Sequence, residues 1–259
     1  DDFFGSGDVR ADERDITQYT IKIDRSAVDN FKENVKLKRA QLVSELEESR
    51  NVVQSTESKI YVKDLYKSML TFDWPQHQYF LNTFAQYRTE IEGLRVHFAR
   101  IAYPDSYKRI YPILLIHSWP STFWEFYKVI PILSNPDRFG FDFGVKTRFA
   151  FEVIVPSIPG LAFSDKPSKP GLGIVESARI LGKLMEKLGF LSYFVHGHGY
   201  IGCNIGLHVG NPSMPNFLST QFIFKQHLDN LLSYIFNFHS IAAVDFASMS
   251  HNDVEWQDC

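Results

Sequence analysis

Along the chain, apolar residues recur first at the period of a helix and then at that of a strand. Val28, Phe31, Val35 and Leu42 fall on one helical face behind Asp24, which predicts a helix starting near Ser26 with Asp24 as its cap. A polar connector over residues 54–59 leads to a second helical stretch, Val62 to Leu70, and Pro75 marks the start of a third between Asp73 and Leu81. Tyr19 to Ile23 alternates and reads as a strand. From Phe84 onward the period becomes two. Tyr87–Ile91 and Leu94–Ile101 alternate across Glu92-Gly93, a hairpin signal. Tyr111–Ile116 and Phe151–Val155 are continuous apolar runs, as expected of strands buried on both faces, and Phe123–Leu133 between them reads as helical. Ser177–Leu188 is apolar at helical spacing and closed by Gly189; Tyr193–Val195 then gives one short buried strand, and a helical pattern follows Gly202 through Leu207. Phe217–Phe224 and Leu231–Phe236 are further strand candidates.

Strands alternating with helices predict an α/β fold with a mostly parallel sheet and flanking helices, preceded by an N-terminal helical arm. We place the arm at residues 1–90 and the core at 91–259. Asp1 to Asp15 is polar and charged, and reads as a terminal arm that is either mobile or clamped. Neither an internal repeat nor a low-complexity tract is present.

Composition narrows this picture at a few points. A net charge of −3 argues against nucleic acid as a partner, and the basic cluster Lys36-Leu-Lys-Arg39 reads as a solvated helix face. Phe is the commonest aromatic, with 23 residues; most read as core, and a surplus can also mark an apolar pocket or a buried interface. Two cysteines, Cys203 and Cys259, exclude a disulfide framework, and Cys203 is expected to be buried and inert. Without an apolar run of eighteen residues, a membrane span is not expected. The chain begins at Asp1 rather than Met, which reads as a removed leader or a trimmed chain; we expect an extracellular protein rather than one of the endoplasmic reticulum membrane.

The candidate chemistry centres on Tyr193-Phe-Val-His-Gly-His-Gly-Tyr-Ile-Gly202. Strand, Gly-rich turn and helix give the layout of a nucleophile elbow, where small residues flank a strained reactive residue at the strand tip. Counting from Gly197 puts Gly199 at the reactive position. Glycine has no side chain with which to attack. Ile201 stands at the next small position and is expected to crowd the approach of helix to strand.

Two further stretches join the elbow: His117-Ser-Trp-Pro120 leading into Phe123-Trp-Glu-Phe-Tyr127, and Val155-Pro-Ser-Ile-Pro-Gly-Leu-Ala-Phe-Ser-Asp-Lys-Pro167. With Phe72-Asp-Trp74 and Tyr87-Arg-Thr-Glu-Ile-Glu-Gly93, they resemble the microsomal epoxide hydrolase family, and within it the juvenile-hormone epoxide hydrolases of insects. The similarity runs from about Asp15 to Gly210. It implies an α/β-hydrolase core behind an N-terminal arm. It also implies a mechanism: an elbow aspartate opens the epoxide to an ester, and an acid-oriented histidine activates the water that hydrolyses it. Two N–H groups hold the oxyanion, and cap tyrosines protonate the epoxide oxygen. Carried over, the oxyanion donors are the N–H groups of Trp119 and Tyr200. Trp119–Pro120 is expected to be cis, with Ser118 in place of the family's glycine.

The departures from that pattern shape the functional expectation. Gly199 replaces the nucleophile. Asn230–Tyr234 and Ser240–Asp245 resemble the family's last strand and its histidine loop, which puts the base position on Ser240, with His239 beside it. On that resemblance the cap, and the segment bearing the acid, are missing between about Gln226 and Leu228. The expectation is therefore a pseudoenzyme: a non-catalytic subunit or carrier of a hydrophobic small molecule, such as a terpenoid, carotenoid or tetrapyrrole pigment, needing no cofactor. A larger protein partner is expected over the pocket left open. The alternative is a divergent epoxide hydrolase acting on juvenile-hormone-like epoxides.

His117, Trp119, Tyr127, Phe163, His198 and Tyr200 are the candidate ligand-binding residues. Four of them, Trp119, Tyr127, Phe163 and Tyr200, read either as plain packing or as the wall of an apolar pocket, while His117 reads as a support for the turn before Trp119. His196 and His198 invite a metal-ligand, tetrapyrrole-ligand or replacement-catalyst reading, but no third ligand stands at metal spacing, and local hydrogen bonding in a vestigial pocket is the plainer one. Asp165 and Lys166 read as solvated loop residues.

Overall fold

A computed structural model describes residues 2–48, 56–141 and 148–210, and their side chains outside 39–48 and 56–63. The chain divides into two compact units, Thr20–Thr83 and Asp1–Tyr19 together with Phe84 onward.

The helical unit holds α1 (Arg25–Glu48), α2 (Thr56–Thr71) and α3 (Trp74–Leu81). Asp73 caps α3 by accepting the Gln76 N–H at 3.1 Å, and Pro75 sits in the first turn, where its missing N–H costs nothing. α2 starts at Thr56, inside the stretch expected to be a connector. Polar residues at helical spacing, Thr56-Glu-Ser-Lys59, carry no apolar stripe to announce it.

The second unit is built on one sheet. Its strands are β1 (Ile16–Tyr19), β2 (Gln86–Ile91), β3 (Leu94–Ile101), β4 (Arg109–Ile116), β5 (Phe149–Pro156) and β6 (Phe194–Gly197), in spatial order β1-β2-β3-β5-β4-β6. β4 pairs parallel with both β5 and β6, as expected for three continuous apolar runs. β1, β2, β3 and β5 pair antiparallel. The fold is thus the expected α/β one, with a mixed sheet.

The β2–β3 hairpin turns on Glu92 and Gly93, both at positive φ (53° and 78°), the geometry that two-residue hairpins favour. Glycine takes that conformation freely. Glu92 does not, and its carboxylate is held by Arg179 at 2.7 and 2.8 Å and by Lys183 at 2.8 Å. The first expected strand is displaced. Ile16–Tyr19 pairs with Gln86–Thr89, three residues upstream of the alternating run. The polar arm is clamped rather than mobile: Phe3 and Phe4 are buried, Phe4 N–H donates to Glu92 O at 2.8 Å, and Asp12 accepts the N–H groups of Glu92 and Gly93.

Successive β4 residues serve opposite faces of the sheet. Leu114 and Ile116 join Ile154 and Val195 in the main core, against α5 (Ile174–Lys187) and α6 (Gly199–Val209). Ala178, Leu181, Leu184 and Met185 give α5 its buried stripe at spacings of three and four. The helix ends as expected at Gly189 (φ 87°), whose N–H donates to Glu186 O while the Phe190 N–H returns to Met185 O. Leu115 and Val153, on the other period of their strands, are equally buried. The 3₁₀ turn Phe123–Phe126 and α4 (Ile130–Ser134) lie against β5. One continuous helix over 123–133 does not form; it is split into these two pieces, and α4 begins with Pro131 in its first turn. The strand candidates at 217–224 and 231–236 lie outside the described residues.

Candidate functional site

The site stands where the C-terminal ends of β4 and β6 meet the start of α6. His198 N–H donates to Ile116 O at 2.9 Å, tying the elbow to the tip of β4. Two glycines permit the close approach. A Cβ on Gly197 would lie 2.1 Å from Gly202 O, and one on Gly202 would lie 2.6 Å from Ile116 O. The tight contact therefore falls on Gly202. Ile201, expected to crowd the helix against the strand, packs half-buried against the core instead. Cys203, expected to be buried, is half-exposed and donates its thiol to Gly197 O at 3.3 Å.

Gly199 opens α6 with φ 60°, in the left-handed region that a strained elbow residue adopts. A Cβ at this position would meet Ser118 Oγ at 2.5 Å and Ser118 Cβ at 2.8 Å. Turning the hydroxyl away would relieve only the first of these contacts, because Cβ is fixed to the backbone. The two departures noted in the sequence are thus one steric unit: the side chain gained at Ser118 fills the space left empty at Gly199.

Around this tip both ring nitrogens of His117 are engaged. His117 is fully buried. Its Nε2 accepts the Ile158 N–H at 3.0 Å, so its proton lies on Nδ1, which donates to Ser118 O at 2.8 Å. Burial holds His117 below the usual imidazole range, against the opposing pull of the Ser118 carbonyl and Glu125. It supports the turn, as expected. The Trp119–Pro120 bond that follows is cis, also as expected.

Glu125, which the sequence reading passed over, belongs to the site. Its largely buried carboxylate accepts the Ser118 N–H at 3.3 Å and lies 3.0 Å from His198 Nδ1. The available signal was a single carboxylate inside the apolar run Phe123-Trp-Glu-Phe126. His196, in β6, meets the Phe126 ring at 6.1 Å, edge to face. Burial, and secondarily the charge on His198, push its pKa down to about 4. Among the described residues no group of three or more His, Cys, Asp or Glu is placed to hold a metal ion.

The aromatic candidates separate. Trp119 and Tyr200 are exposed beside the elbow, at 65% and 71%. Tyr127 stacks on Trp124 with centroids 4.9 Å apart. Phe163 packs with His97, Phe123 and Tyr19 around a buried polar network, in which His97 contacts Gln86 and Ser157 at 2.9 Å each. Asp165, read as a solvated loop residue, is paired with the Arg95 guanidinium at 2.9 Å. Ser240 and His239, expected at the base position, lie outside the described residues. Chemically, the elbow offers a helix N-terminus, an imidazole and a carboxylate, with no attacking atom at residue 199.

Residues 16–126 match the family described as epoxide hydrolase N terminus. The chain is 35% identical to epoxide hydrolase 1 of Sus scrofa over 195 residues, covering 74% of this chain and 41% of that protein. It is 35% identical to juvenile hormone epoxide hydrolase 1 of Ctenocephalides felis over 200 residues, covering 76% and 40%. It thus spans about two fifths of the length of these curated relatives. The crystal structure of juvenile hormone epoxide hydrolase from Bombyx mori superposes with a TM-score of 0.60 at 30% identity, covering 77% of this chain and 50% of that one. The structure of Aspergillus niger epoxide hydrolase superposes with a TM-score of 0.59 at 28% identity, with the same coverage.

Proposed function

We propose, from the likeness to epoxide hydrolases over residues 16–126 and to the fold of the Bombyx mori enzyme, that the chain binds a hydrophobic small molecule without hydrolysing it. The observation that carries this reading is the pairing of Gly199 with Ser118. Ester formation at an elbow needs a carboxylate at its tip, and the space for one is taken by a serine side chain. A terpenoid-like or pigment-like ligand suits the two exposed aromatics at the elbow, Trp119 and Tyr200. The exposed Trp119 and Tyr200 side chains support a ligand or a protein partner over the elbow. The test is diol formation from an aryl epoxide and from juvenile hormone III, followed against protein concentration. A rate indistinguishable from buffer is the expected result. Diol that rises in proportion to protein would overturn the reading.

The second reading is a divergent epoxide hydrolase acting on juvenile-hormone-like epoxides. It is supported by the likeness to juvenile hormone epoxide hydrolase 1 of Ctenocephalides felis and by the preserved elbow backbone at Gly199. On that reading the attacking oxygen comes from a residue other than 199, and the same diol assay gives a protein-dependent product.

A further inference from the structure

The helical unit contains an open cavity of about 580 Å³ between α1 and α2, lined also by Phe72 and Trp74. Its volume lies within the ~300–1,000 Å³ typical of small-molecule sites. The walls are Val28 and Phe31 of α1, Leu65 and Met69 of α2, and Phe72 beyond it. Ser68 also lines the cavity, but its hydroxyl donates to Asp64 O of its own helix at 2.9 Å, and the Trp74 indole N–H reaches Gln78 Oε1 at 3.3 Å. The polar groups of the wall are thus turned to internal partners. Phe31, Leu65 and Phe72 remain 40–50% exposed, an unfavourable state for apolar side chains converging on one cavity.

Among the described residues, Lys32 is the one charged side chain lining the cavity. Neighbouring carboxylates are taken by other cations: Asp29 pairs with Arg25 at 3.9 Å and Glu33 with Lys36 at 2.6 Å. Among the described residues no carboxylate lies within ion-pair distance of Lys32. An apolar cavity with a single uncompensated ammonium group fits a molecule with an apolar tail and one anionic head.

We propose that this cavity binds a free long-chain monocarboxylic acid, with the tail between α1 and α2 and the carboxylate on Lys32. The site lies within the helical unit, and the proposal does not rest on the function proposed for the elbow.

The test is competition for cis-parinaric acid fluorescence on the full chain, with hexadecanoic acid and hexadecanol as competitors. Parinaric acid should bind, and the acid should displace it at least tenfold more effectively than the alcohol. Lys32→Gln should abolish that preference while leaving competition by the alcohol unchanged. Met69→Trp, which fills the cavity, should weaken binding of parinaric acid, with far-UV circular dichroism unaltered. The proposal is overturned if parinaric acid does not bind, if acid and alcohol compete equally on the unaltered chain, or if Lys32→Gln changes nothing. It is equally overturned if the acid fails to compete and the chain instead self-associates through this face or adsorbs to anionic vesicles.

Discussion

Ser118 and Gly199 lie far apart in the sequence yet exclude each other's side chains in space, and this coupling makes a prediction at the scale of single residues. Gly199→Asp adds a side chain 2.5–2.8 Å from Ser118 at a backbone φ of 60°. It should destabilise the chain by about 1–3 kcal/mol in urea denaturation. Adding Ser118→Gly should recover about 1 kcal/mol or more of that loss, a coupling that independent sites would not show. Simple additivity of the two substitutions would contradict the steric account. A second prediction concerns His196. Its pKa in the folded chain, about 4, lies below the 6.5 expected when unfolded, so the unfolded state binds the extra proton between these values. Stability should therefore fall as pH drops from about 6.5 to 4, with His196 contributing on the order of 3 kcal/mol. His97, held at about 3 by burial, pushes the same way. His196→Phe should flatten, without abolishing, the pH dependence of the urea midpoint; an unchanged slope would count against a buried neutral imidazole.

At the scale of elements, what the sequence made legible follows from how local each signal is. The Glu92-Gly93 hairpin, the three parallel strands and the Gly189 helix end were readable because period and turn chemistry lie within a few residues of each other. β1 was not, because an edge strand with mostly exposed residues carries no alternation to mark it. The split of 123–133 was hidden by an apolar run that fits one helix as well as two pieces. Glu125 and Ser118 were opaque for a different reason: their roles arise from residues brought close only by the tertiary fold. Packing predictions belong here as well. Leu184, fully buried on α5, should cost about 2–5 kcal/mol when replaced by Ala, read from the urea midpoint. Glu92→Gln leaves the partly exposed Arg179 and Lys183 facing a neutral, buried group, and should cost about 2–3 kcal/mol by the same measurement. A loss under about 1 kcal/mol would mean that the hairpin is held by its backbone alone.

For the whole molecule, the hydrolase sheet and its elbow turn persist while the reactive position is empty. Glycines at 197 and 202 still let α6 press onto the ends of β4 and β6, and His117 still braces the turn before Trp119. On the proposed reading, such a scaffold holds a ligand without forming a bond to it. The most direct measurement is mass spectrometry of the chain incubated with an excess of juvenile hormone III, under native and then denaturing conditions. The account predicts a native complex carrying the intact epoxide, a bare protein mass after denaturation, and epoxide recovered without diol. A covalent adduct that survives denaturation, or diol released in proportion to protein, would contradict it.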